Sequence, residues 1–126
     1  MTQNKPPLGS IAWIDLTVEN AAQIRDFYSQ VVGWEADALS LGDYDDFNMQ
    51  PAGSDEAVSG ICHARGPNAN LPAQWLIYIT VADVARSAEQ CVALGGTIID
   101  GPRTMGDQMF CLIQDPAGAV AALISG

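Results

Sequence analysis

Basic residues and histidine are scarce in this chain. Lys and Arg number 5 against 15 Asp and Glu, which gives a formal net charge of −10 at pH 7 over 126 residues, with a single histidine. A field of that sign repels phosphate backbones and anionic headgroups, which argues against nucleic acid and membrane surfaces as partners. No apolar run approaches the roughly 18 residues of a membrane helix. Since Met1–Pro7 also lacks a hydrophobic signal region, the sequence predicts a cytoplasmic protein.

Cysteine is scarce as well. Cys62, Cys91 and Cys111 are odd in number and show no paired spacing, so we expect buried, reduced thiols in place of a disulfide or a metal site. The chain also lacks a Gly-x-Ser-x-Gly elbow, a credible Cys–His pair and a phosphate-binding glycine loop. The chain therefore lacks the common sequence signatures of hydrolase, cysteine-nucleophile and nucleotide-binding sites.

Two similar segments dominate what is present. In Trp13–Gly33 and again in Trp75–Gly96, a strand of alternating apolar residues leads into an amphipathic helix that ends at glycine. Val18 and Val81 are 63 residues apart, half of the 126-residue chain. Repeats at a fixed offset indicate two copies of one structural module.

Helix starts are also marked in both copies. Asn20, with Gln23 three residues on, has the spacing of a capping box, and Asp83 can cap the second helix through its carboxylate. After each helix the pattern predicts three more strands, with a loop at Gly101-Pro102 in the second copy.

The predicted organisation is therefore α+β, with two βαβββ modules forming a curved mixed sheet around a cleft and helices on the outside. We expect a flexible tail over residues 1–9 and a single domain over residues 10–126. Its modules span 10–65 and 75–126, and the breaker-rich stretch 66–74 links them.

Strand parity gives the candidate site. If Ile14, Leu16 and Val18 cover the first helix, the two-residue period sends Trp13 and Asp15 to the other face of the strand. The same reasoning separates Leu76 and Tyr78 from the second helix. We therefore expect Trp13, Asp15 and Tyr78 to face one cleft, where an acid and a phenol occupy positions equivalent by the internal repeat.

The motifs Phe27-Tyr28, Gly33-Trp34, Leu94-Gly95-Gly96 and Asp115–Gly118, in this order, resemble the vicinal oxygen chelate superfamily, which includes glyoxalase I, bleomycin resistance proteins and extradiol dioxygenases. The resemblance covers nearly all of residues 10–125 and is nearest to small glyoxalase-like bacterial proteins. It implies two modules enclosing a cavity, and a homodimer.

In metal-dependent members of that superfamily, four side chains hold a divalent ion. The resemblance puts three of these positions at Trp13, Leu76 and Ala122, and the fourth at Gly60 or Ile61. None of these side chains offers the oxygen or nitrogen ligand that such an ion needs. We therefore expect no metal and no other cofactor.

Three other polar residues leave alternatives open. His63 is a displaced metal ligand or a solvated strand-end histidine, and Arg103 reaches an anionic ligand or is a surface arginine. Asp15 takes part in function or makes a structural hydrogen bond, since a buried unpaired carboxylate is costly.

The sequence thus predicts a metal-free glyoxalase-like protein that sequesters a small organic molecule in an aromatic cleft. The alternatives are an enzyme, either a metal-dependent lyase, isomerase or dioxygenase or one using Asp15 as general base, and a non-catalytic interaction module. The residues assigned to the ligand-binding cleft are Trp13, Asp15, Leu76, Tyr78 and Ala122.

Overall fold

The computed structural model describes residues 6–125; residues 1–5 of the predicted tail and residue 126 lie outside the described residues. Residues 6–125 form eight strands, two α-helices and one short 3₁₀ helix. In chain order these are β1 Ile11–Val18, α1 Ala21–Val32, β2 Glu35–Ser40, β3 Asp45–Gln50, β4 Ser59–His63, the 3₁₀ turn Gly66–Asn68, β5 Leu76–Thr80, α2 Val84–Ala93, β6 Thr97–Met105, β7 Gln108–Gln114 and β8 Val120–Ser125. The α+β class and the two βαβββ modules are confirmed.

The chain divides into two compact units. The first unit is Ile14–Trp75, and the second unit comprises residues 6–13 with residues 76–125. Strand order repeats: β2-β3-β4-β1 in the first unit and β5-β8-β7-β6 in the second. Each unit has one parallel strand pair, β1–β4 in the first and β5–β8 in the second, and its other paired strands are antiparallel. A parallel pair is expected where a helix connects the first strand to the rest.

Each unit has its own core beneath its helix. In the first unit, Ala21 of α1 packs with Phe47, Met49 and Ile61, and Val18 lies against this cluster. In the second, Val84 and Ala88 of α2 pack with strand side chains that include Ile79 and Val81. The predicted helix-facing parity of β5 is therefore correct.

The helix ends agree with the sequence in part. The Asp83 carboxylate accepts a hydrogen bond from the Arg86 backbone N–H at 3.2 Å, as expected of an N-cap. The capping box at Asn20 was wrong: its side chain makes no cap bond, and its Nδ2 instead donates to Gln23 Oε1 at 3.0 Å. The Gln23 oxygen that a capping box would offer to the Asn20 backbone N–H accepts this side-chain bond instead.

The loop expected at Gly101-Pro102 was also wrong, because β6 continues through it with register shifts against β7. The Gly101–Pro102 peptide is cis. β6 ends the strand order of its unit, where proline costs no ladder bond. Gly101 has φ +96°, and a Cβ there would lie 2.7 Å from the Phe110 carbonyl oxygen, so the bulge requires glycine.

Candidate functional site

Three of the predicted site residues share one face of the second unit. Tyr78 of β5 lies directly opposite Ala122 of β8, and Leu76 is two residues before Tyr78 on the same strand. Since Ile79 and Val81 pack beneath α2, these three side chains lie on the face away from that helix. We call it the β5/β8 face.

This face is buried and partly aromatic. Leu76 and Ala122 are 0% exposed and Tyr78 is 4% exposed. The Tyr78 ring centroid is 6.1 Å from that of Phe110 on β7, at an interplanar angle of 40°. Aromatic pairs at this separation add attraction to the area that they bury, so the Tyr78 ring is held in place.

Arg103 extends the face at the edge strand. Its guanidinium lies 4.7 Å from the Phe110 ring centroid, and it is bonded to both carboxylate oxygens of Asp100 at distances from 2.9 to 3.1 Å. Stacking and bidentate pairing fix a guanidinium more firmly than a single contact does. Of the two alternatives for Arg103, a loose surface arginine does not describe this geometry. The i, i+3 spacing of Asp100 and Arg103 is the sequence signal for this ion pair.

A cavity continues the β5/β8 face. Thr80 and Ile124, each two residues beyond Tyr78 and Ala122, line a space of about 290 Å³ together with Leu8, Ala12, Val81 and Gln108. We call it the β5 cavity. Oγ1 of Thr80 and Oγ of Ser10 are buried and have no hydrogen-bond partner among residues 6–125. Strand parity assigns Thr80 to the same face as Tyr78, whereas no pattern in the sequence points to Ser10.

The N-terminal residues next to this cavity are tied to β5. The Gly9 N–H donates to the Thr80 carbonyl at 2.7 Å, and the Thr80 N–H donates to the Ser10 carbonyl at 2.9 Å. Through these bonds, the last residue of the predicted tail is fixed beside the cavity wall.

Asp15 belongs to a polar group in the first unit. It lies opposite Gly60 of β4, and Thr17 lies opposite Cys62. Burial, the negative charges of Asp15 and Asp46, and a hydrogen bond to Asp46 all raise the pKa of the Cys62 thiol far above its ordinary value. A raised pKa favours the protonated thiol, which is the poorly nucleophilic form. The prediction that Asp15, Trp13 and Tyr78 share one cleft stays a prediction.

His63, the last residue of β4, is held by two neighbouring side chains. Its Nδ1 is 3.3 Å from Asp46 Oδ1, and its ring packs edge-on against Tyr44 at 5.5 Å between centroids. With 21% of its side chain exposed, His63 is largely shielded from solvent. It follows Ile61 by two positions and so shares the face covered by α1.

The metal site implied by the superfamily does not fit these residues. Leu76 and Ala122 have hydrocarbon side chains, and an indole such as that of Trp13 offers a donor only. Between the two alternatives for the fourth position, Ile61 belongs to the core beneath α1, which leaves Gly60. Residues 6–125 contain no group of three or more His, Cys, Asp or Glu that could hold an ion.

The duplicated module and the register of its strands agree with one known family. Residues 10–123 match the glyoxalase/bleomycin resistance protein/dioxygenase superfamily. The chain belongs to this superfamily.

Two curated proteins are similar over almost the whole chain. The anthracycline biosynthesis protein DnrV of Streptomyces peucetius is 29% identical over 135 aligned residues, and DauV of Streptomyces sp. (strain C5), described in the same words, is 28% identical. Each alignment covers 98% of this chain and 48% of the relative. The chain thus spans about half the length of the curated relatives it matches.

Solved structures share the fold at low identity. A variant of Streptomyces coelicolor methylmalonyl-CoA epimerase in complex with 2-nitronate-propionyl-CoA has a TM-score of 0.56 at 17% identity, covering 95% of this chain and 99% of the epimerase. A superfamily member from Vibrio splendidus 12B01 has a TM-score of 0.57 at 13% identity, covering 90% and 97%. Such likeness shows the fold alone. No helix within residues 6–125 is long and apolar enough to cross a membrane.

Proposed function

We propose that this superfamily member binds a small, neutral, largely apolar organic molecule without a metal, at the β5/β8 face. The observation that carries the proposal is the β5 cavity, whose lining residues Thr80 and Ile124 follow Tyr78 and Ala122 by two positions. Its volume of about 290 Å³ is near the lower limit of small-molecule sites, and such sites combine an apolar lining with few polar groups.

The two buried hydroxyls support a ligand with a polar group. Thr80 Oγ1 and Ser10 Oγ lack hydrogen-bond partners among residues 6–125. Buried polar atoms are almost always satisfied, and each one left unmade costs about 1–3 kcal/mol. Since Thr80 lines the β5 cavity, a ligand carbonyl or hydroxyl, or an ordered water, would remove that cost for Thr80 Oγ1.

Metal-free binding is proposed because of donor chemistry. Leu76 and Ala122 occupy two implied ligand positions and cannot coordinate a hard or borderline ion. Affinity would instead come from apolar contact with the cavity walls, which include Leu8, Ala12 and Ile124. The site would also include Trp13 and Asp15, which the strand period on β1 assigns to one face.

The curated relatives suggest a ligand class. Both carry the description "anthracycline biosynthesis protein", and anthracyclines are polycyclic compounds with aromatic rings. We propose a planar polycyclic ligand, with sequestration as the role. The superfamily's metal-dependent reactions and general-base catalysis by Asp15 are the rival functions.

Thermal shift with a panel of polycyclic ketones and phenols tests the proposal, since a ligand that binds only the folded state raises the melting temperature. We expect at least one such compound to stabilise the chain and Thr80→Val to diminish the effect. Thr97→Val, at an exposed strand position of the same unit, is the matched control. Equal responses of the two variants, or no stabilising compound, would contradict the proposal.

We further propose that the chain forms a homodimer, in the cytoplasm. The dimer is proposed because apolar side chains remain exposed in each unit. They include Val31 and Val32 in the first unit and Val92 and Leu94 in the second. A partner that covers such surface would remove it from water. Sedimentation equilibrium at micromolar concentration decides the point, and a mass equal to the chain's own 13.3 kDa would contradict it.

A further inference from the structure

A second pocket lies in the first unit, on the side of β1 that faces α1. Its walls include the aromatic residues Phe27, Tyr28 and Trp75 and the aliphatic residues Leu16, Val18 and Ile24, and it encloses about 290 Å³. We call it the α1 pocket. Its strand residues have the opposite parity to Asp15, so it is separate from the face on which the proposed function rests.

The aromatic wall of the α1 pocket is rigid. The Tyr28 ring packs against Trp75 at 5.3 Å and against Trp34 at 5.7 Å between centroids, and the two indoles are 5.8 Å apart. Rings this close touch each other, so they cannot surround a cation in the manner of an aromatic cage. They present instead a fixed apolar surface, against which another flat ring can pack edge-to-face or offset.

Phe27 forms the open side of the pocket. Its side chain is 53% exposed and contacts Tyr28 edge-on at 5.1 Å. A half-exposed aromatic side chain above an apolar hollow leaves surface that a ligand ring can remove from water.

The Tyr28 phenol gives the pocket a directional polar contact. The Trp75 indole N–H donates to Tyr28 Oη at 3.1 Å, so the phenol oxygen is used as an acceptor. Its own O–H is a donor and can serve an acceptor on a ligand. None of the side chains that line the pocket is charged, and the chain's net charge of −10 repels anions.

We propose that the α1 pocket is a second small-molecule site, which takes a neutral, planar aromatic molecule with one hydrogen-bond acceptor. Its volume admits a two- or three-ring compound. The apolar floor and rigid aromatic wall supply contact area, and Tyr28 Oη supplies orientation.

The experiment uses the full chain labelled with ¹⁵N, with quinoline and naphthalene as probes at equal concentration. These molecules have the same shape, and only quinoline carries an acceptor. The readout is the indole N–H signal of each tryptophan. Quinoline should shift the Trp75 signal and leave the Trp13 signal unchanged, whereas naphthalene should give a smaller shift at Trp75.

Variants locate the contact. Tyr28→Phe should weaken quinoline binding about 3- to 10-fold, the loss expected for one neutral hydrogen bond, and leave naphthalene binding unchanged. Phe27→Ala should weaken both probes. Val31→Ala, at a more exposed position of α1 outside the pocket wall, is the matched control and should change neither. Melting temperatures of all variants report whether the fold is intact.

The proposal is overturned if quinoline leaves the Trp75 signal unmoved at millimolar concentration, or if Phe27→Ala and Val31→Ala respond alike. It is also overturned if quinoline binds the wild type no more tightly than naphthalene does and Tyr28→Phe leaves this unchanged. Thr80→Val, which tests the β5 cavity, should not alter quinoline binding, so that failure of either site is seen separately.

Discussion

Trp75 donates its indole N–H to the phenol oxygen of Tyr28, a residue 47 positions earlier in the chain, at 3.1 Å. The bond ties the end of the first unit to α1, and both rings also pack with Trp34. Replacing Tyr28 by Phe keeps the ring and leaves a half-buried indole N–H without its acceptor.

We therefore expect Tyr28→Phe to lower the free energy of unfolding by about 1 kcal/mol. Urea denaturation followed by tryptophan emission measures it. Tyr44→Phe is the control, because it keeps the ring that lies 3.9 Å beneath the Arg65 guanidinium. An equal loss in the two variants would mean that the Tyr28 hydroxyl plays no special part.

The Arg103 guanidinium should not be replaceable by an ammonium group. Arg103→Lys loses the two-point pairing with Asp100 and the planar contact with Phe110. We expect about 1 kcal/mol of destabilisation, the upper range for a partly exposed ion pair. Arg86→Lys, on the exposed surface of α2, should change the unfolding midpoint little. No difference between these variants would contradict the assignment.

The Cys62 thiol should resist alkylation in the folded chain. Its pKa is raised by burial and then by the charges of Asp15 and Asp46, and the pKa of Cys111 is raised chiefly by burial. Because the folded pKa exceeds the ordinary thiol value of 9.0, the unfolded chain loses these protons first. Stability is present below pH 9.0 and falls as the pH rises further.

Iodoacetamide labelling followed by mass mapping checks this expectation. Asp46→Asn should lower the Cys62 pKa and speed labelling at that site. Fast labelling of Cys62 in the wild type at neutral pH would contradict it.

Asp15→Asn should weaken ligand binding and leave the fold intact, because the shape is kept and the charge is lost. It should also lower the Cys62 pKa, since the Asp15 charge raises it. Thermal shift with a compound that stabilises the wild type gives the first readout, and labelling of Cys62 gives the second. Asp107→Asn, in the exposed β6–β7 turn, is the control. A lower melting temperature without selective loss of binding would show that Asp15 is structural.

Purified chain made without an affinity tag should hold no stoichiometric divalent ion, for the donor chemistry given above. Elemental analysis after exposure to zinc, nickel, manganese and iron measures the metal content per chain. One tightly held ion in each chain would refute the expectation.

Much of the fold could be read from local patterns. The repeat, the alternation of β5, the Asp83 cap and the left-handed glycine at Gly33 (φ +78°) all depend on residues close together in sequence. Two local predictions were wrong. Asn20 bonds the Gln23 side chain instead of capping the helix, and β6 passes through Gly101–Pro102 because an edge strand tolerates proline.

The sequence by itself determined the superfamily, the module count and the placement of Leu76 and Tyr78 away from α2, since strand parity and repeats need no distant contact. Only the tertiary structure decided that these side chains are buried, that Arg103 is held by Asp100 and Phe110, and that Tyr28 meets Trp75. Burial and long-range pairing depend on residues that periodicity does not relate, and they form when the chain packs.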